Sequence, residues 1–410
     1  MKTEYLKDTW MEEGNDYSDF KSKIQMMDES TRIIEINTSA VELLSVVPEA
    51  SNAERTEFDV YNADQVCNHH IPNRAGLKTS SALEAGYTEE MVEELQTSTR
   101  LMIRYEGRKY FTSRGLCRDL AARADLAGMA VHTPTGARDA YIMSRYVCQP
   151  QNALAIVRVG DNPYTNKVFA MPSRGYCYVP QSFILELVDE LQNELGEWIC
   201  DCWTLSHSLT SLRLLFVEKA DDMAEMYRMS SLPIPGVLIE TSDTGDSSCT
   251  VYGIWKTRGG SYIRAESYSR KHTGRFKVSD IVKGVTNKVF ANYTKLPERL
   301  CELALIDIAN PHEAIPEIMR EIKAEAVIGK RRAAALTSAL SGEYPPGSMC
   351  SGYDLAMTFL DLPSRCLFSG LEEVEGIRAK ESMEEMVYQV PFLNFEQFAS
   401  DEEPVVVTPA

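Results

Sequence analysis

Three strand-forming runs in direct succession between Gly236 and Phe290 constrain this chain more than any other stretch. Gly236 to Glu240 is a short apolar run that ends in the polar cluster Thr241 to Ser248, the composition of a strand entering a turn. Cys249 to Trp255 reads as a second strand, and Thr257-Arg258-Gly259-Gly260 as the next turn, since Gly-Gly supplies positive φ at little cost. Ser261 to Tyr268 is the third. Side chains alternate along a strand, so Tyr262, Arg264, Glu266 and Tyr268 are expected on one face, with Ile263 and Ala265 on the other. The meander is therefore expected to have one wet, charged face.

Charge sets this segment apart. Residues 255–289 hold nine bases (Lys256, Arg258, Arg264, Arg270, Lys271, Arg275, Lys277, Lys283, Lys288) and two acids (Glu266, Asp280), a balance of +7 in a chain of net charge −18. A basic island in an acidic protein is an electrostatic footprint for phosphates. Trp255, Tyr262, Tyr268 and Phe276 are interleaved with the bases, as stacking on single-stranded nucleic acid requires. The expected contact residues are Trp255, Lys256, Arg258, Tyr262, Arg264, Tyr268, Arg270, Lys271, His272, Arg275 and Lys277. The competing reading is a solvated strand face whose bases pair with surrounding acids.

The remaining pattern is that of an ordinary globular chain. With 44% apolar and 25% charged residues, 410 residues can bury one large core or two ordinary ones. The strongly negative balance argues against general adhesion to nucleic acid or membrane, so a polyanion needs a local site. No secretory apolar core opens the chain and no window approaches a membrane span, which gives a cytoplasmic expectation. Ten cysteines lie scattered without a Cys-x-x-Cys pair, so reduced thiols are expected rather than a disulfide framework or zinc ribbon. Cys67-Asn68-His69-His70 is a Cys/His cluster with too few ligands for zinc, and no metal or other cofactor is expected.

Along the chain, residues 1–30 read as polar and loosely held, Thr31 to Val47 as a short apolar pattern, and Leu101 to Thr112 as a hairpin followed by a helix capped by Ser113. Strands are expected over Asn152 to Val159, Lys167 to Met171, Trp198 to Leu205 and Ser211 to Val217. Phe183, Leu187, Val188 and Leu191 recur at helical spacing after Pro180, with Glu186, Asp189, Glu190 and Glu194 facing outward. After Ser279 the chain turns helical. The fold class is α+β: a mixed, largely antiparallel sheet with helices packed on one face and a helical C-terminal part. The expected divisions are an irregular N-terminal region (1–98), an α+β core (99–290), a helical extension (291–345) and an acidic, flexible tail (346–410). From residue 371 onward ten acids face two bases, and such a tail can fold back on the basic hairpin.

Several pieces together resemble a known family. Tyr176-Cys177-Tyr178-Val179, the helix carrying Val188-Asp189-Glu190-Leu191, the turn Ser242-Asp243-Thr244-Gly245 after an apolar strand, and Arg270-Lys271-His272-Thr273-Gly274-Arg275 resemble the phage/plasmid-like proteins known as domain of unknown function 932. The resemblance covers roughly residues 150–290. That family has no assigned chemistry, so the resemblance implies a mobile-element origin rather than an activity.

Catalytic templates fail on inspection. Asp243-Thr244-Gly245 is similar to an aspartic-protease loop, but no second such triplet exists to share the proton, which leaves only a homodimeric enzyme. Gly329-Lys330 lacks the upstream glycine and the following Ser/Thr of a phosphate-binding loop. The functional expectation is a non-enzymatic accessory protein binding nucleic acid, single-stranded by preference, through the basic aromatic hairpin. Two alternatives stay open: a self-assembling or host-factor-binding protein whose hairpin docks on an acidic protein surface, and a metal-assisted hydrolase built on Asp243, Asp246 and His272.

Overall fold

The computed structural model describes residues 1–48, 57–62, 75–78, 101–123, 152–161, 165–172, 175–365 and 373–399. In chain order the elements are β1 (Met11–Gly14), α1 (Tyr17–Ser30), β2 (Thr31–Asn37), β3 (Glu42–Pro48), β4 (Glu57–Asn62), β5 (Ala75–Lys78), β6 (Leu101–Tyr105), β7 (Arg108–Thr112) and α2 (Arg114–Arg123). They continue with β8 (Asn152–Arg158), β9 (Lys167–Ala170), α3 (Phe183–Leu195), β10 (Ile199–Ser206), β11 (Thr210–Leu215), α4 (Val217–Tyr227), β12 (Ile234–Thr241), β13 (Cys249–Lys256) and β14 (Tyr262–Arg270). The C-terminal part holds α5 (Val278–Lys288), α6 (Lys295–Leu303), β15 (Asp307–Ile308), α7 (Pro311–Glu321), α8 (Ala324–Ile328), α9 (Lys330–Glu343), β16 (Cys350–Ser351), α10 (Gly352–Leu360), α11 (Leu362–Arg365) and α12 (Glu373–Val387).

The expected meander is half of a six-stranded antiparallel sheet, ordered β1-β10-β11-β12-β13-β14. A second sheet of eight strands runs β2-β8-β9-β7-β6-β3-β4-β5, antiparallel except between β7 and β9, and β15 and β16 form a small third one. This is an α+β architecture with a helical C-terminal part.

Period-two alternation builds the first sheet. Leu212, Leu214, Val237, Ile239, Val251, Trp255 and Ile263 point into one large core together with Ile184, Leu187 and Leu191 of α3 and Ile281, Val282 and Val285 of α5. The opposite face carries a smaller cluster of Leu215, Leu238, Ile254 and Tyr262. The second sheet has its own core, where Leu116, Cys117 and Leu120 of α2 pack on Ile103, Tyr110, Val157 and Val168.

Three expectations are corrected here. Residues 1–30 are tied down: β1 pairs with β10, and Phe20, Ile24 and Met27 of α1 are buried. The division at 98/99 does not separate structural units, because β2 from one side pairs with β8 from the other and β3 pairs with β6. The tail is folded in its described residues, 346–365 and 373–399: Met383, Met386, Val387, Val390 and Phe395 lie in the main core. Met383, Met386, Val387 and Val390 repeat at three- and four-residue steps, an apolar stripe along and just past α12 beneath a conspicuous acidic face. The Cys67–His70 cluster and the acids at 401–403 fall outside the described residues.

β14 also departs from simple alternation. Tyr252 pairs with Ser267 but Ile254 with Arg264, so β14 holds one extra residue between those pairs. Such a bulge reverses the facing of every later side chain. Tyr268 therefore lies opposite Val251 on the core side, and its ring packs where a Cβ at Gly284 of α5 would stand within 2.2 Å of it.

Candidate functional site

The hairpin expected to bind nucleic acid divides into two parts. Its sheet half is inside the protein. Trp255 is 1% exposed and packs edge-on to Tyr293 at 5.6 Å, on the face away from Arg264. Tyr262 is buried, with its hydroxyl on Asp201 and the Arg213 guanidinium 4.1 Å above its ring. Lys256 holds the same Asp201 at 2.7 Å. Arg258 is exposed and donates to the Ser230 carbonyl at 2.6 Å.

Arg264 is the centre of this half. It is 3% exposed and meets three carboxylates, Glu384 at 2.9 Å, Glu240 at 3.1 Å and Glu381 at 3.1 Å, while stacking over Tyr252 at 4.8 Å. Glu384 is fully buried and also accepts from Arg213 at 3.3 Å. Burial disfavours the charge on Arg264, but Glu240, Glu384 and Glu381 outweigh it and push its pKa up. Burial raises the pKa of Glu240, and Arg264 pulls it back only in part. Glu381 and Glu384 come from α12, so this helix of the acidic tail packs on the hairpin as a core element. The period-two reading correctly grouped Tyr262 and Arg264 on one face; that face is occupied.

The loop half differs. Arg270 is half-buried and donates to the Arg275 carbonyl at 3.1 Å. Lys271, Arg275, Lys277 and, on α5, Lys283 are exposed and make no ion pair among the described residues. Between them His272 is buried and Phe276 half-buried, the two rings 5.2 Å apart, and Phe276 meets Phe183 of α3 at 4.8 Å. Two rings thus anchor a loop that turns at Gly274, φ +68°, and projects its bases.

A second polar centre joins the two sheets and was not singled out by composition. Arg158, at the end of β8, is 0% exposed and faces Asp243, after β12, at 2.7 and 2.8 Å. Gln181 donates to the same carboxylate at 3.0 Å and accepts from Thr210 at 2.6 Å; Arg158 also donates to Thr31. Asp243 belongs to the Ser-Asp-x-Gly turn, and that turn meets the other segments that carry the family resemblance. The Tyr176 hydroxyl donates to the Asp243 carbonyl at 2.6 Å and lies 3.3 Å from His272 Nδ1, while Cys177 N–H donates to the His272 carbonyl at 2.8 Å. With the tyrosine proton on that carbonyl, Nδ1 is the His272 nitrogen that donates to Tyr176, and Nε2 faces the Thr241 hydroxyl at 3.4 Å. Burial lowers the His272 pKa, with Asp243 opposing. Tyr176 is pushed well above the ordinary phenol range, first by burial and then by Asp243. The signal for this centre in the sequence was a charged residue closing an apolar strand, Arg158, which strand pattern alone leaves without a partner.

Chemically this is a clamp between sheets. Asp243 is taken by Arg158 and Gln181, Asp246 accepts from the Thr244 hydroxyl at 2.9 Å, and His272 serves Tyr176 and Thr241. The Asp243, Asp246 and His272 grouping weighed for hydrolysis does not assemble, and among the described residues no cluster of three or more His, Cys, Asp or Glu side chains is arranged to hold a metal ion. Among them, too, no helix is long and apolar enough to cross a membrane. Comparison with known protein families, with curated proteins and with solved structures finds no match.

Proposed function

We propose that this chain is a phage/plasmid-type accessory protein, without catalysis of its own, that binds nucleic acid through the loop 270–277 and the adjoining part of α5. The observation that supports it is the set of four exposed bases: Lys271, Arg275 and Lys277 on a loop pinned by His272 and Phe276, and Lys283 on the adjoining α5. With Trp255 and Tyr262 in the interior, the contact is to phosphates, and base identity should matter little. The test is binding of a single-stranded homopolymer across a salt series, for wild type and for the variant with all four bases changed to Ala. Each neutralised phosphate contributes a slope of roughly 0.7 in log affinity against log salt, so the variant should lose up to roughly 3. Equal or absent binding in both proteins rejects the reading.

One further observation favours the self-association alternative. α3 packs beside α5 and exposes Glu186, Asp189, Glu190 and Glu194, so an acidic stripe runs next to the basic one. Two copies related by a twofold axis would set each stripe against its opposite. Light scattering at low and high salt tests this, and a monomer throughout removes it.

A further inference from the structure

We propose that the free edge of β14 is a docking site for an extended peptide, which joins the six-stranded sheet as a seventh strand and carries adjacent acidic and basic residues.

Among the described residues β14 ends the strand order and pairs only with β13. Every second N–H and C=O of a regular strand points away from its neighbour, which makes an open edge a template for another strand; on β14 this holds on either side of the bulge at Ala265 and Glu266. Among the described residues no backbone hydrogen bond reaches Ala265, Glu266 or Ser267 from the outer side. Those residues form the floor of an open cleft of about 410 Å³. Its walls come from both sides of the sheet: Lys288 of α5, on the Trp255 and Ile263 side, and Glu385 of α12 with Tyr388 and Gln389 just after it, on the Arg264 side.

The charges in the cleft specify the occupant. Arg264 is held by its three carboxylates. Glu266 accepts from the Tyr388 hydroxyl at 3.1 Å and faces Lys295 at 3.8 Å. Lys288 and Glu385 are exposed and make no ion pair among the described residues. One lies on each side of the sheet plane. Successive side chains of an added strand point to opposite sides, so an acid at one position meets Lys288 and a base at the next meets Glu385. Main-chain pairing supplies affinity and the two charges set register.

The probe is a fluorescein-labelled hexapeptide, Thr-Val-Glu-Lys-Val-Thr, titrated against the full chain by anisotropy. Two N-methylated versions, blocking the odd or the even amides, separate backbone pairing from side-chain attraction. Saturable binding of the parent is expected, with one methylated version weakened by about tenfold or more and the other within about twofold, because only alternate amides face β14. Lys288→Glu should weaken the parent by about tenfold and leave the circular dichroism unchanged. Absent binding, or equal binding of the two methylated peptides, overturns the proposal. Lys288 lies outside the four bases assigned to nucleic acid, so either reading can fail alone.

Discussion

The two ends of β14 carry the same kinds of side chain and meet opposite fates. At its start, Tyr262 and Arg264 are covered by Asp201, Glu240, Glu381 and Glu384. Past its end, Lys271, Arg275 and Lys277 are exposed. What separates them is the arrival of α12, whose Glu384 lies 120 residues away in sequence from Arg264. A basic strand face is thus a binding surface only if no distant acid has claimed it. The contrast is broken most directly by Glu384→Ala, which leaves Arg264 and Arg213 short of a buried carboxylate; a loss of about 3–5 kcal/mol in urea unfolding is expected. Asp243→Ala, which strands Arg158 at 0% exposure, should cost a similar amount. A cost below about 1 kcal/mol for Glu384→Ala would mean that the face is open enough to be wet, and the hairpin would return as a contact surface.

Local chemistry made the meander legible. The strands expected at 236–240, 249–255 and 261–268 occur as Ile234–Thr241, Cys249–Lys256 and Tyr262–Arg270, because turn residues and alternation are properties of a few neighbours. The helix after Pro180 was legible for the same reason. What was hidden depended on distance or on one inserted residue. The bulge that turns Tyr268 into the core leaves no mark in composition. In the tail, Glu381, Glu384 and Glu385 drew the eye from Met383, Met386, Val387 and Val390, whose helical spacing predicts burial as firmly as the acids predict solvent. Asp243 stood out as a candidate catalytic acid and Arg158 not at all; no local pattern shows that the two, 85 residues apart, are partners.

An intermediate effect sharpens the contrast between buried and exposed charge through pH. His207, between Trp10 at 5.0 Å and Phe169 at 4.0 Å, has its pKa lowered first by burial and then by Arg158 and Lys167; His272 is lowered by burial against Asp243. Both are favoured neutral in the folded protein. As pH falls below the ordinary histidine value of 6.5, the unfolded chain takes up protons that the fold resists, so stability is full above that pH and declines below it. Each histidine contributes at most about 1.4 kcal/mol per pH unit. His207→Phe, which keeps a ring between Trp10 and Phe169, should flatten the acid limb of the stability curve. An unchanged limb would show that the resistance lies elsewhere.

The smallest effect is the one on which the functional reading turns. Lys271→Ala, Arg275→Ala and Lys277→Ala remove exposed charges that no carboxylate among the described residues answers, so each should move stability by no more than about 0.5 kcal/mol. Near-neutrality is informative because it contrasts with the cost at Arg264, a base of the same hairpin. Removing positive charge from a protein of net charge −18 also raises its self-repulsion slightly, which sets the expected sign as weakly destabilising at low salt and absent at high salt. A large loss for any of the three, persisting in high salt, would place that base in an internal contact like that of Arg264. The loop would then be part of the clamp, and the two ends of β14 would no longer differ in kind.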